Sequence, residues 1–281
     1  MGGPMAANLV KAGHEVTAFD LSADAVSAAQ EAGCAIATSA AEAAKAKDVV
    51  VTMLPAGKHV LSVYEEIAES IRSGCLMIDS STIDVTSARK AHQMAADMGA
   101  MSVDAPVSGG IMGAINGTLA FMVGGSDEAL DAADPILDPM GAKIIRCGGD
   151  GAGQAAKVCN NMILAATMIV TGEAFEMGKR LGLEDQALFD VVANASGQSW
   201  STTTYCPVPG PVPTSPANND YKPGFAVDLM LKDLGLAQDA AKEVAAHTPL
   251  GTKSYELYKE FSEEGFGGLD FSGIIKKMQK K

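Results

Sequence analysis

Lys157 and Asn161 stand four residues apart in the run Gly151-Ala152-Gly153-Gln154-Ala155-Ala156-Lys157-Val158-Cys159-Asn160-Asn161. On a helix that spacing puts both side chains on one face. Their neighbours are mostly apolar. A lysine in the first turns of an apolar helix is pushed toward its neutral form by burial and by the positive helix end. A fall from a reference near 10.4 toward roughly 7 to 8, at a differential cost of about 4 kcal/mol, would make its amine an effective acid and base. The same pattern also suits a snorkelling lysine whose stem covers the core while its head stays in water.

A second group lies upstream. In Asp104-Ala105-Pro106-Val107-Ser108-Gly109-Gly110 a hydroxyl and two consecutive glycines directly follow a strand-like run. Successive N–H groups in such a turn form a concavity for an anion, a carboxylate being the natural guest, and glycine lets backbone approach a ligand closely. A glycine-rich turn without chemical meaning has the same composition. Asp20 ends the run Val16–Phe19, 18 residues after Gly2. An acidic residue about 20 positions beyond a glycine fingerprint accepts hydrogen bonds from an adenosine ribose and repels a 2′-phosphate, favouring NAD over NADP. An Asp there also serves as an ordinary turn or cap residue.

The elements that must position these groups change character along the chain. From Glu15 to Cys147 the apolar runs Val16–Phe19, Val49–Leu54, Leu76–Ile78, Met101–Val103, Phe121–Val123 and Ile144–Ile145 alternate with helical stretches such as Ala23–Ala32 and Val85–Met98. That alternation predicts an α/β domain with a largely parallel sheet wrapped by helices. Leu54-Pro55 and Ser80-Ser81-Thr82 follow two of these runs, at the carboxyl edge where ligands of open α/β sheets bind. Beyond the glycine-rich break at Gly148–Gly153, the stretch Gln154 to Leu181 has no proline. It predicts a long helix leading into an all-helical second domain, with boundaries 1–149 and 150–281. Residues 207–223 hold six of the twelve prolines and predict an extended surface or pocket-rim loop.

Composition bounds the partners. The chain has 281 residues, 47% of them apolar, and 21 Lys+Arg against 34 Asp+Glu for a net charge of −13. That sign does not attract a phosphate backbone or an anionic membrane, so neither nucleic acid nor membrane is expected. A small anionic substrate then needs a local positive site. The five cysteines (34, 75, 147, 159 and 206) have no C-x-x-C spacing and fit reduced thiols. The four histidines (14, 59, 92 and 247) are isolated, read as surface or supporting residues, and give no zinc spacing, so no metal is expected. The apolar run Met162 to Val170 is far short of the roughly 20 residues that span a bilayer. The expected setting is cytoplasmic, or the mitochondrial matrix in a eukaryote.

These motifs together resemble the β-hydroxyacid dehydrogenases, in particular the hydroxyisobutyrate branch. The opening MGGPMAANLVKAGHEVTAFD is similar to that family's first helix and second strand, and DAPVSGG followed by GTLAFMVGG is similar to its substrate-binding motif. G-x-G-x-x-x-K-x-x-x-N runs without a gap through Gly151, Gly153, Lys157 and Asn161. Lys232-Asp233-Leu234-Gly235-Leu236-Ala237 resembles the family's K-D-L-x-L-A helix, and SPANNDYKPGF and LDFSGIIK resemble the same branch, so the likeness runs from Met1 to Lys277. The family fingerprint begins with a strand and G-x-G-x-M-G, of which Met1-Gly2 would be the last two positions. The resemblance therefore places a strand and two glycines ahead of Met1, with a start set downstream of them. Without that central strand two sheet edges would be open.

The resemblance implies a Rossmann-type domain followed by an all-α domain, NAD as cofactor, and oxidation of 3-hydroxyisobutyrate to methylmalonate semialdehyde in valine catabolism. It makes Lys157 the proton acceptor and Asn161 its substrate-positioning partner. Ser108, Gly109, Gly110, Trp200 and Tyr205 would contact substrate. Met1, Gly2, Asp20, Leu54, Pro55, Thr82 and Lys232 would contact cofactor, Lys232 at the nicotinamide end. Tartronate-semialdehyde or another short semialdehyde reductase is the alternative with the same chemistry. A non-catalytic oligomeric binding protein with a decayed cofactor site is the alternative of another class. The Met- and Ala-rich long helix offers more apolar surface than one small domain covers, so a homo-oligomer, dimer or tetramer, is expected.

Overall fold

A computed structural model describes residues 1–279 and divides the chain into two compact units, Met1–Lys157 and Val158–Lys281. The first holds α1 (Gly2–Lys11), β1 (Thr17–Ala18), α2 (Ala23–Glu31), β2 (Ala35–Ile36), α3 (Ala40–Ala44), β3 (Val49–Thr52), α4 (Gly57–Ile67), β4 (Leu76–Asp79), α5 (Val85–Asp97), β5 (Met101–Asp104), β6 (Val107–Ser108), α6 (Gly110–Asn116), β7 (Leu119–Gly125), α7 (Asp127–Leu137) and β8 (Gly141–Gly148). Several helices begin where a short polar side chain can accept from an otherwise unpaired first-turn N–H. Ser22, Ser39, Asp84 and Ser126 do so for α2, α3, α5 and α7.

The Rossmann-type α/β reading holds, with a sheet more mixed than the run pattern implied. β3, β4 and β5 pair in parallel, β7 pairs antiparallel to both β5 and β6, and β8 returns parallel to β7. The reason is length: only the seven-residue α6 and short turns join β6 to β7, whereas a parallel crossover needs about a dozen residues or more. β1 and β2 form a separate two-stranded parallel sheet, and β3 begins the six-stranded one. Among the described residues β1 and β3 each keep one edge unpaired. Core residues on and just before β4 split by strand alternation. Leu76 and Ile78 enter one apolar cluster with Met5, Val103, Phe121 and Leu137; Cys75, just before the strand, and Met77 enter the other with Val60, Tyr64, Ile83 and Ala91.

The 29-residue α8 (Ala152–Arg180) starts in the first unit and continues in the second. By length and composition it could cross a bilayer, a feature the nine-residue apolar run did not reveal. Its Val158, Ala165, Met168, Ile169 and Phe175 are nevertheless buried within protein. The second unit is mostly helical, with α9 (Asp185–Ala193), α10 (Trp200–Thr203), α11 (Val227–Glu243), α12 (Pro249–Phe261) and α13 (Ile275–Met278). Its main cluster joins Ala165 and Met168 to Met230, Leu234, Tyr258, Phe261 and Phe271.

The proline-rich segment is an irregular surface stretch, with Pro209, Gly210, Pro213, Asn218, Asn219 and Lys222 exposed, that also tucks some of its side chains inward. Cys206, Val208, Val212, Ala217 and Tyr221 are buried with Phe175 and Ile275 in a small core. Polar groups of the segment bond within it: Ser215 Oγ donates to Cys206 O at 2.6 Å and Tyr221 Oη to Pro207 O at 2.8 Å. Prolines remove donors that would otherwise need partners, which eases the inward placement of the buried residues of this irregular stretch.

Candidate active site

In the first unit, α8 is seated on the end of β5 by glycines and by one carboxylate. A Cβ on Gly153 would lie 2.6 Å from Asp104 O and 2.9 Å from Asp104 Oδ2, and closer still to Met122 O. One on Gly124 would lie 2.7 Å from Gly153 N. The G-x-G of the lysine signature therefore permits backbone contact between helix and sheet. Asp104 accepts from Gly151 N (2.9 Å) on Oδ1 and from Gln154 N (2.7 Å) on Oδ2, satisfying two donors that a helix start leaves unpaired.

Four residues past Gly153, Lys157 is only 6% exposed, and its Nζ donates to Val107 O at 2.8 Å. The amine does not reach out into bulk water, and the snorkelling alternative fails. Val107 and Ser108 form β6, immediately before Gly109 and Gly110, whose φ of +127° and +63° lie in the region that glycine adopts without strain. The structure thus brings Lys157 to the strand that opens the Ser108-Gly109-Gly110 turn.

The loops after β3 and β4 are tied to one another and to α8. Leu54 N donates to Ser81 Oγ (2.8 Å), which donates to Asp79 Oδ1 (2.6 Å), and Thr52 Oγ1 donates to the same oxygen (2.8 Å). Burial pushes the Asp79 carboxyl above the usual carboxylate range, against these hydrogen bonds, which pull it down. The side chain of Gln154 accepts from Ile83 N (3.1 Å) and donates to Ser81 O (2.7 Å). Leu54, exposed Pro55 and half-buried Thr82 sit on these two loops, at the carboxyl ends of parallel strands. Asp20 is exposed at the end of β1, where its Oδ1 accepts from Ser22 N at 2.8 Å. Met1 and Gly2 form the start of α1.

In the second unit, Asn161 is buried and its Nδ2 donates to Asp233 Oδ2 at 2.6 Å; Lys232 Nζ lies 3.6 Å from the other oxygen of Asp233. Asp233 stood in the sequence as part of a motif without a role of its own. Trp200, 48% exposed, stacks on Tyr205 with ring centroids 4.8 Å apart. Tyr205 Oη donates to buried Asp270 Oδ2 at 3.0 Å, and burial together with that carboxylate pushes its phenol well above the ordinary range. Three residues that organise these groups, Asp104, Gln154 and Asp270, were passed over in the sequence. Their signal was a carboxylate or amide placed inside an otherwise apolar motif. His92, read as one isolated histidine among four, is buried, unlike exposed His14, His59 and His247. Among the described residues no group of His, Cys, Asp and Glu is arranged to hold a metal ion.

Residues 1–149 match the family described as the NAD binding domain of 6-phosphogluconate dehydrogenase, and residues 151–278 the family described as NAD-binding of NADP-dependent 3-hydroxyisobutyrate dehydrogenase. The chain is 53% identical over 275 residues to a probable 3-hydroxyisobutyrate dehydrogenase of Mycobacterium tuberculosis, covering 98% of this chain and 93% of that one. A solved structure of the Mycobacterium tuberculosis 3-hydroxyisobutyrate dehydrogenase with L-serine superposes with a TM-score of 0.97 at 52% identity, covering 100% of this chain and 96% of that one. The chain belongs to the 3-hydroxyisobutyrate dehydrogenase family. An NAD-dependent L-serine dehydrogenase of Pseudomonas aeruginosa is 46% identical over 279 residues, covering 98% of this chain and 94% of that one.

As a member of this dehydrogenase family the chain is an NAD-dependent oxidoreductase of β-hydroxy acids. In the first unit the exposed Asp20 carboxylate at the end of β1 suits the ribose hydroxyls of the dinucleotide.

Proposed function

We propose that this enzyme oxidises 3-hydroxyisobutyrate to methylmalonate semialdehyde, a step of valine catabolism, in the cytoplasm of a bacterium or the matrix of a mitochondrion. The observation that carries the proposal is the buried Lys157 amine held at Val107 O beside the Ser108-Gly109-Gly110 turn. A neutral amine in that place donates one N–H to the carbonyl and can take up an alcohol proton. The turn takes the substrate carboxylate on its backbone N–H groups and the Ser108 hydroxyl, which fixes the hydroxyl-bearing carbon by orientation. Asn161, steadied by Asp233, is the substrate-positioning residue, and Trp200 and Tyr205 are aromatic substrate contacts. Met1, Gly2, Asp20, Leu54, Pro55, Thr82 and Lys232 would hold NAD, which would supply the hydride acceptor.

Lys157→Ala should lower kcat by about 10²- to 10⁴-fold, the range for losing a general base, while NADH binding, followed by fluorescence titration, stays intact. Turnover near that of the parent would end the assignment. A second reading, oxidation of L-serine, is favoured by the Pseudomonas relative that bears that activity in its name. Comparing kcat/KM for 3-hydroxyisobutyrate, L-serine and glycerate decides among this pair and the semialdehyde-reductase alternative. We also propose that copies associate through the exposed stripe Ile163, Val170 and Met177, seven residues apart on α8.

A further inference from the structure

The mechanism leaves unused a buried polar cluster at the foot of α8. Asp104 is 2% exposed and His92 6%. His92 Nε2 lies 3.0 Å from Asp104 Oδ1, the oxygen that also accepts from Gly151 N, and His92 Nδ1 lies 2.7 Å from Ser102 Oγ. The other carboxylate oxygen holds Gln154 N. The ring is thus pinned at both nitrogens between α5 and β5, and the carboxylate at both oxygens between that ring and the first turn of α8. Three residues beyond Gln154 the same helix carries Lys157 to Val107 O.

We propose that Asp104 and His92 are positioning residues for the dehydrogenase reaction. The carboxylate clamps the first turn of α8 in one register, and the imidazole holds the carboxylate in the rotamer that does so. The Lys157 amine then meets the alcohol at a fixed distance from the glycine turn. Neither residue touches the reacting atoms. An aspartate that served only to stabilise the sheet would not need one oxygen on each of two helix amides. Close approach of Gly153 and Gly124 to Asp104 leaves the helix foot no slack, so the clamp sets position and not merely attachment. This rests on Lys157 being the proton-transfer residue.

The test compares Asp104→Asn, His92→Leu, His92→Gln and Lys157→Ala in the full chain, with steady-state kinetics, NADH titration and amide hydrogen exchange of Gly151 and Gln154. Gln carries an N–H near the place of the imidazole Nε2, so His92→Gln should return kcat to within about threefold of the parent. His92→Leu and Asp104→Asn should lower kcat by about 10- to 100-fold, the scale of a misplacement near 1 Å, with NADH affinity unchanged. Exchange at the two amides should quicken at least about tenfold in these two variants and stay at the parent rate in Lys157→Ala. Parent-like kcat in His92→Leu, equal impairment of His92→Gln and His92→Leu, or a loss of turnover without faster exchange would each overturn the proposal. Should Asp104→Asn not fold, the His92 pair decides alone. Full activity in Lys157→Ala would instead remove the reading of Lys157, while the exchange rates still judge the clamp.

Discussion

Gly153→Ala sets two effects of opposite sign against each other. Alanine in place of glycine within a helix ordinarily stabilises by up to about 1 kcal/mol. Here the added methyl would sit 2.6 Å from Asp104 O. Carbon and oxygen tolerate about 3.3 Å, so the helix foot must retreat by at least about 0.7 Å. The atoms in the way are backbone and cannot rotate aside. The bond from Gln154 N to Asp104 Oδ2, now 2.7 Å, would stretch to roughly 3.4 Å, past the useful limit near 3.2 Å. Losing a hydrogen bond to a charged acceptor costs about 1.5–3 kcal/mol, more than the propensity gain. Net destabilisation of about 1–2 kcal/mol follows, measurable by urea unfolding, with a loss in kcat approaching 10²-fold from the displaced amine. A variant as stable as the parent or more so, with kcat/KM within twofold, would refute the account of how the helix is seated.

Three further outcomes are expected. The buried Cys206 thiol is pushed up to about 11 by burial, above an unfolded value near 9. The unfolded state therefore loses its proton first as pH rises, and stability should fall between about pH 9 and 11 by about 3 kcal/mol at most; chemical denaturation of the parent against Cys206→Ala measures the difference in slope. Asp270 accepts from Tyr205 Oη, Gly224 N, Phe225 N, Ser272 N and Ser272 Oγ, so Asp270→Ala, which leaves several buried donors unpaired, should cost at least about 3 kcal/mol in a urea melt. Val170→Glu, placing a charge in the exposed apolar stripe of α8, should reduce the molar mass of the native protein in light scattering, and an unchanged mass would refute association through that stripe.

Legibility in the sequence followed how far each feature depends on distant partners. The runs at Val49, Leu76 and Met101 became β3, β4 and β5 because buried parallel strands need continuous apolar residues, and α8 was visible in a stretch without proline. β2 and β6 were not visible. Each is two residues long and exists as a strand only through its pairing, Ala35–Ile36 with β1 and Val107–Ser108 with β7. Lys157 stood out because a cation among apolar neighbours asks for an explanation, whereas its acceptor is a carbonyl that every residue possesses. His92 looked like any other lone histidine, since its burial comes from α5 packing on β5 rather than from the residues beside it. The prolines of 207–223 signalled an irregular path correctly, but the fate of that path depended on Phe175 and Ile275, far off in the chain.

The anchor of the Lys157 amine carries a consequence for variation. Its acceptor belongs to the main chain of residue 107, so exchanging the Val107 side chain leaves the anchor chemically untouched. What can loosen it is a slip in the ladder that pairs Val107 with Phe121 and Ser108 with Ala120. Descendants of this chain are free to reshape the walls around a substrate while the strand that grips the amine stays in register. Changes that unzip that short ladder would silence every substrate at once.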